Sequence, residues 1–285
     1  ISQKHIFERR LGLFPAFIDE NGTLYCDTSY GDFPMILPDK KIENFDEIFP
    51  GWMLVSLNKS ITVSSSIDSL GAQNITDEDI RTYWAAETGD EGEFALLDLE
   101  QLCKIRALQI NFAEHDIEYE RLSGTPVHRF VVESSKDKEN WEPLIDYSAN
   151  TSSQTHNYFQ LEESLDARYL RITNLEVPTG NFALSGFRVF GNGSGPLPAK
   201  PMNLEATRNA QDKRKIALTW GKTENALGYN VKYGSRPDHL YQNYQVYQDT
   251  AVTINSLNTE QEYYFSIEAF NENGRTLNDV TVSSN

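Results

Sequence analysis

The sequence predicts an all-β chain of more than one domain, and three observations carry that reading. Short runs rich in β-branched and aromatic residues recur with turn signals between them. No segment of useful length carries a helical period. Fourteen Tyr and fifteen Phe among 285 residues suit pleated surfaces better than helices. Hydrophobic content of 39% is enough for packed cores and too high for a disordered chain. The length sets a soft prior of about two domains.

The first 50 residues begin with an apolar run from Phe14 to Ile18, an Asp19-Glu-Asn-Gly22 turn and a second run at Leu24-Tyr25. That order predicts a β-hairpin. An isolated hairpin is marginal in water, so this one must pack on something larger. Ile42 to Phe49 is acidic and loop-like, and a boundary falls near Pro50. Between Pro50 and Gly191 come the runs Ile105 to Phe112, Phe130 to Glu133, Tyr169 to Ile172 and Phe187 to Phe190, the spacing of a sandwich. Gly191-Asn-Gly-Ser-Gly-Pro-Leu-Pro-Ala-Lys-Pro201 stops helix and strand alike and reads as a linker. Beyond it, Ile216 to Trp220, Tyr229 to Tyr233 and Tyr263 to Ala269 alternate in strand fashion. Leu257 stands six residues before Tyr263, the spacing of a tyrosine corner.

Composition also narrows the partners. A net charge of −17 argues against nucleic acid and against an anionic membrane surface. No stretch approaches the roughly 20 apolar residues of a membrane helix. The chain begins at Ile1 without a signal peptide, which reads as a processed or truncated piece. Cys26 and Cys103 are too few for a disulfide framework and read as two buried free thiols. Trp84 and Trp141 abut strand starts and read as core. Asp19, Asp27 and Asp32 stand in turn contexts, where Asp normally stabilises backbone. No nucleophile motif, phosphate loop or zinc spacing is present, so the sequence offers no catalytic residue.

Three resemblances organise these elements. Asp77-Glu-Asp-Ile-Arg-Thr-Tyr-Trp84, Gly92-Glu-Phe-Ala-Leu-Leu-Asp-Leu99, Ser134-Ser-Lys-Asp-Lys-Glu-Asn-Trp141 and Ala167-Arg-Tyr-Leu-Arg-Ile172 together resemble the discoidin (coagulation factor 5/8 type C) domain, a jelly-roll sandwich. Pro201-Met-Asn-Leu-Glu-Ala206 with the strands and tyrosine corner that follow resembles a fibronectin type III domain. Glu8-Arg-Arg-Leu-Gly-Leu-Phe-Pro15, Asp19 to Tyr25, Tyr30-Gly-Asp-Phe-Pro34 and Gly51-Trp-Met53 resemble the end of the five-bladed propeller of glycoside hydrolase family 43. The expected organisation is a propeller tail at 1–50, a discoidin-like domain at 51–193, a linker at 194–201 and a fibronectin type III domain at 202–285. The resemblances imply a bacterial, extracytoplasmic accessory region of a polysaccharide-degrading enzyme of xylosidase or arabinofuranosidase type. Its catalytic carboxylates would lie in blades outside this chain. Five Asn-x-Ser/Thr sequons, at Asn21, Asn58, Asn74, Asn150 and Asn192, carry little meaning in a bacterial source.

The discoidin resemblance implies sugar binding on loops at one end of the sandwich, with xylan or arabinan as the glycan class. The loops are Trp84 to Glu91, Ala113 to Val127 and Val177 to Ala183. His115 and Arg121 fall where the family offers basic groups, and Asn181 with Phe182 where it offers an amide and a stacking ring. Phe182 plugging the sandwich end is the other reading. The resemblance also implies a possible structural calcium in the loop before Trp84, held by Asn74, Asp77, Asp79 and Thr82. Gly186 stands where the family adds a Glu, so a capped acidic turn without metal is equally open. Two alternatives to glycan binding remain: modules that buttress the catalytic propeller without a ligand, and protein adhesion.

Overall fold

The computed structural model describes residues 14–118, 125–278 and 280–284. In chain order the strands are β1 (Ala16–Ile18), β2 (Leu24–Cys26), β3 (Met53–Leu54), β4 (Ser60–Val63), β5 (Trp84–Ala85), β6 (Phe94–Phe112), β7 (Arg129–Ser135), β8 (Glu142–Asp146), β9 (His156–Glu176), β10 (Ala183–Gly193), β11 (Glu205–Arg208), β12 (Ile216–Thr219), β13 (Gly228–Gly234), β14 (Gln242–Tyr247), β15 (Ala251–Ile254), β16 (Tyr264–Asn271), β17 (Gly274–Thr276) and β18 (Val282–Ser283). Two short 3-10 turns, Phe45–Glu47 and Ala72–Ile75, are the helical elements among the described residues. The protein is all-β, as its composition predicts.

The chain divides into two compact units. Leu54–Ser194 forms one, and the described residues up to Met53 join Gly195 onward in the other. The first unit is a sandwich whose two layers share two long strands. The Phe94–Asp98 half of β6 pairs with β4 and with Tyr169–Thr173 of β9. The Cys103–Asn111 half pairs with β10 and with His156–Ala167 of β9. The register shifts between Asp98 and Cys103, where Glu100 takes φ +65°. Such a bulge bends a strand and lets it turn a sandwich corner. Arg168 fastens the corner with a two-pronged bond to Asp98, Nε–Oδ1 2.8 Å and Nη2–Oδ2 3.0 Å. Between the layers lie Trp84, Leu97, Ile105, Leu108, Ile110, Phe130, Val132, Leu170, Ile172, Phe187 and Val189, all sealed from solvent.

At the rim of this core His128 stacks on Phe112, centroids 3.9 Å apart, and its Nδ1 has no hydrogen-bond partner. Burial lowers its pKa from 6.5 to about 4. The charged imidazolium is therefore favoured only in the unfolded chain.

The second unit is a smaller sandwich. One sheet has the order β11-β12-β15 and the other β14-β13-β16-β17, with β18 on β16. Its core holds Ile216, Leu218, Trp220, Tyr229, Val231, Ile254, Phe265 and Ile267. The tyrosine corner forms as its spacing predicts: Asn258 N–H donates to the Tyr263 hydroxyl at 3.2 Å.

Residues 14–53 pack on the outer side of the larger sheet. Alternation along β13 and β16 turns Tyr229, Val231, Phe265 and Ile267 inward, which turns Asn230, Glu268 and Phe270 outward. These outward residues are nonetheless buried, Glu268 to 4% exposure. Tyr30 supplies the cover and the partner, its hydroxyl donating to Glu268 Oε1 at 2.9 Å. Asn230 Nδ2 donates to the same oxygen at 3.2 Å. Lys232 and Arg275 approach Oε2 at 4.0 and 3.9 Å. Arg275 also lies over Phe49 and Tyr30 and pairs with Asp46. The β1–β2 hairpin closes the far side through a ring stack, Phe17 on Tyr25 and Tyr25 on Tyr241, with His239 behind Tyr241. The Tyr25 and Tyr241 ring centroids lie 3.8 Å apart, with 5° between their planes. Tyr241 donates to Asp19 Oδ2 at 2.9 Å, and Asp19 Oδ1 caps its own turn at Asn21 and Thr23. These bonds hold the Asp19 carboxyl below its ordinary range and, with burial, push the Tyr241 hydroxyl up to about 12. The segment that resembles a propeller end thus finds its packing partner within this chain.

Two readings need correction. Cys26 is exposed, because on β2 it faces away from the Phe17–Tyr25 side that packs. Trp141 is a half-buried surface ring under the Arg171 guanidinium, 4.4 Å from its centroid. A tryptophan beside a strand start satisfies its apolar face as well under an arginine as in a core.

Two consequences can be measured. Replacing Tyr30 by Phe removes one donor from a buried carboxylate, so Tyr30→Phe should lower unfolding free energy by about 1.5–3 kcal/mol in urea titration. His128 contributes stability fully above pH 6.5 and loses it as pH falls toward 4, by on the order of 3 kcal/mol over that interval. His128→Phe should flatten the urea midpoint across the same window.

Candidate functional site

The loop end of the larger sandwich is built by backbone clamps. Asn181 N–H donates to His115 O at 3.1 Å, and Phe182 N–H to Thr88 O at 3.0 Å. Gly180 makes this closure possible. Its φ is +75°, and a Cβ there would stand 2.2 Å from His115 O. The Asn181 amide donates twice, to Ala86 O at 2.9 Å and Glu87 O at 2.8 Å. Three loops, 86–93, 113–118 and 177–182, are thereby held in one arrangement.

His115 lies within this cluster. Its Nδ1 is 3.1 Å from the Tyr83 hydroxyl and its Nε2 is 3.6 Å from Asp116 Oδ2. The ring is mostly covered, while Asp116 is open to solvent. Thr179 accepts the Glu118 N–H at 3.2 Å, which ties the second loop to the third. The end therefore presents an imidazole oriented by a phenol, with a carboxylate beside it. Imidazole and carboxylate groups can both hydrogen-bond a hydroxyl-rich ligand. Tyr83 and Asp116 complete the cluster around His115; the sequence signal for them was their place beside Trp84 and His115.

The four predicted sugar contacts fare differently. His115 and Asn181 come together through the backbone bond. The Asn181 amide N–H groups are both spent on loop carbonyls, so its first task is to brace the site. Phe182 is a correction: it is 0% exposed, set edge-on to Trp84 at 5.5 Å, and offers no face for stacking. Strand β10 begins at the next residue and draws the ring inward. Arg121 lies outside the described residues.

Three of the four residues predicted for calcium, Asp77, Asp79 and Thr82, meet in one loop, the Thr82 hydroxyl lying 2.7 Å from Asp77 Oδ2 and 3.0 Å from the Asp79 carbonyl. Asp77 Oδ1 accepts the Asp79 N–H at 2.9 Å and Oδ2 the Thr82 hydroxyl at 2.7 Å. Asp79 Oδ1 accepts the Arg81 N–H at 2.9 Å, and Asn74 Nδ2 donates to Tyr83 O at 2.9 Å. The two Oδ1 atoms cap their own turns, while Asn74 spans to the far end of the loop. Glu78, at φ +59°, forks onto Arg188 with Nε–Oε1 3.1 Å and Nη2–Oε2 3.0 Å. A guanidinium thus anchors this loop to β10, two residues from Gly186. Among the described residues no group of three or more His, Cys, Asp or Glu is placed to hold a metal. The predicted set holds two carboxylates, Asp77 and Asp79, beside the Thr82 hydroxyl, an oxygen-rich but lightly charged group for calcium, which gains affinity from ligand charge.

Two family matches correspond to the two sandwiches. The chain contains an F5/8 type C domain, matched over residues 60–186, and a fibronectin type III domain, matched over residues 199–283. No curated protein matches the chain. Solved structures with similarity include CpGH89CBM32-4 produced by Clostridium perfringens, in complex with GlcNAc-α-1,4-galactose, at 20% identity and TM-score 0.41 over 50% of this chain and 96% of that one. The family 32 module of C. perfringens NanJ, in complex with galactose, matches at 14% identity and TM-score 0.40 over 49% and 98%. A chitosan-binding module of the chitosanase/glucanase from Paenibacillus sp. IK-5, in complex with chitotriose, matches at 17% identity and TM-score 0.41 over 48% and 99%. Among the described residues no helix is long and apolar enough to cross a membrane.

The position of Phe182 makes a direct prediction. Phe182→Ala should cost about 3–5 kcal/mol of unfolding free energy in urea titration, the usual price of a core phenylalanine. Any loss of ligand binding should track that loss of fold.

Proposed function

We propose that this chain is a non-catalytic glycan-recognition region of a polysaccharide-degrading enzyme, and that its F5/8 type C domain binds plant-type glycan of the xylan or arabinan class. The match of residues 60–186 to that domain carries the reading. The loop end supplies the chemistry, with His115 oriented by Tyr83 beside the open carboxylate of Asp116. Arg121 is assigned to the same rim on sequence alone. Binding holds an enzyme near its substrate and raises local concentration without altering the barrier, so affinities of about 10 μM to 1 mM suffice. The catalytic partner is a family 43 propeller, and the setting is extracytoplasmic.

A second reading is structural support of the catalytic domain without a ligand. One observation favours it: the segment that resembles a propeller end is built into the same unit as the fibronectin type III domain.

Isothermal titration with arabinoxylan, arabinan, xylo-oligosaccharides and galactose, with and without calcium, separates the two. Glycan recognition predicts saturable heat that calcium leaves unchanged. His115→Ala and Arg121→Ala should each weaken it by about tenfold, roughly 1.4 kcal/mol, with the melting temperature retained. Absence of heat with every glycan, together with loss of enzyme stability when residues 54–285 are deleted, would establish support instead.

A further inference from the structure

The β1–β2 hairpin meets the fibronectin type III domain through two phenol rings in unusually close contact. Register sets Phe17 opposite Tyr25 across the hairpin, with centroids 5.4 Å apart. Tyr25 in turn lies flat on Tyr241, centroids 3.8 Å apart with 5° between planes, and His239 stacks on Tyr241 at 5.0 Å. Aromatic pairs ordinarily keep their centroids about 4.5–7 Å apart. The two phenols are therefore in face-to-face van der Waals contact, and Phe17 and His239 restrain them from either side of the pair.

The two hydroxyls differ in a way that bears on oxidation. Tyr241 donates to Asp19 Oδ2 at 2.9 Å, and Asp19 is itself fixed by the N–H groups of Asn21 and Thr23 on its Oδ1. Burial and this bond push the Tyr241 hydroxyl up to about 12, so the ring is a neutral phenol at physiological pH. A phenol that has lost an electron is a strong acid. Even a carboxylate held below its ordinary range accepts that proton, and Asp19 stands ready to take it. The Tyr25 hydroxyl makes no hydrogen bond with the described residues. Both rings are partly open to solvent, which gives a small oxidant and a departing proton access to them.

From this contact we infer a modification site: a one-electron oxidant joins Tyr25 and Tyr241 of one chain by a carbon–carbon bond. The oxidant takes one electron from each ring. The Tyr241 proton passes to Asp19 and the Tyr25 proton to water, leaving two phenoxyl radicals. Their unpaired spins reside partly on the carbons ortho to oxygen, and those two carbons pair to form the new bond. Each ring then shifts its ortho hydrogen to its own oxygen and is a phenol again. The chain loses two electrons and two protons in all. Holding both rings together makes the coupling unimolecular, whereas lone exposed tyrosines such as Tyr244 must wait for a second molecule. The bond ties residues more than 200 positions apart, so it restricts the unfolded chain strongly. This modification is independent of glycan binding and goes beyond the function proposed above.

Oxidation of the dilute full chain by two equivalents of tris(bipyridyl)ruthenium(III) tests it. This one-electron oxidant is a cation and suits a chain of net charge −17. The product should be a monomer on a denaturing gel, lighter by two hydrogens, with dityrosine fluorescence and a raised melting temperature. Digestion should yield one cross-linked peptide pair containing Tyr25 and Tyr241. Tyr25→Phe and Tyr241→Phe keep a ring at each place and should each abolish that pair. Asp19→Asn still accepts the turn N–H groups but is no base, and should slow the coupling about tenfold or more. Tyr244→Phe should leave it unchanged, and oxidation of the chain in urea should abolish it. Cross-links confined to other tyrosines, products only between chains, an undiminished yield in Tyr25→Phe or Tyr241→Phe, or consumption of the oxidant without dityrosine would each overturn the inference.

Discussion

The smaller unit depends on one carboxylate. Glu268 lies on the side of its sheet that a fibronectin type III sandwich ordinarily leaves in water, and it is covered there. A covered carboxylate is tolerated only where donors and cations surround it. Two of its four neighbours, Asn230 and Lys232, stand on the adjoining strand, and Arg275 comes from β17. The fourth, Tyr30, comes from more than 200 positions earlier in the chain. Phe33, Phe45 and Phe49 then fill the space around Tyr30. The early segment therefore supplies both the cover over this carboxylate and one of the donors that the cover makes necessary.

Much of this architecture was legible from local pattern. The Asp19-Glu-Asn-Gly turn announced its hairpin, and Leu257 with Tyr263 announced the corner. The runs at Ile105 to Phe112 and Phe187 to Phe190 are strands because alternation and β-branching leave little choice. The packing of residues 14–53 was not legible. Glu268 alternates with Phe265, Ile267 and Ala269 as any solvent-facing residue does, and periodicity cannot tell water from a covering chain. The 19- and 21-residue lengths of β6 and β9 were hidden for a related reason. Their bulges interrupt the period where the strands change layers, so each reads as two.

The loop end illustrates the same limit at the scale of a site. His115 and Asn181 were identified from position in a loop, and they do meet. Phe182 satisfies an identical sequence description, an aromatic residue after an amide in a loop, yet one further residue of strand sends it into the core. The acidic run at Asp77 to Thr82 has the composition of a cation loop, and its oxygens bond one another and the backbone while its Glu78 reaches a guanidinium. Composition reports which atoms are available. Whether they converge or cap the backbone is decided by φ and ψ at single residues such as Glu78 and Gly180.

The order of the units along the chain has a further effect. The F5/8 type C domain is entered from Met53 and left at Gly195, and both flanking stretches belong to the other unit. Among the described residues it is an insertion with two covalent crossings, whereas modules strung like beads have one. A protease that severs a single crossing leaves the module attached by the other. The cut unit stays whole too, because its early and late parts are joined by the Tyr25–Tyr241 stack and the enclosure of Glu268. Release of the module from the described chain requires two cuts.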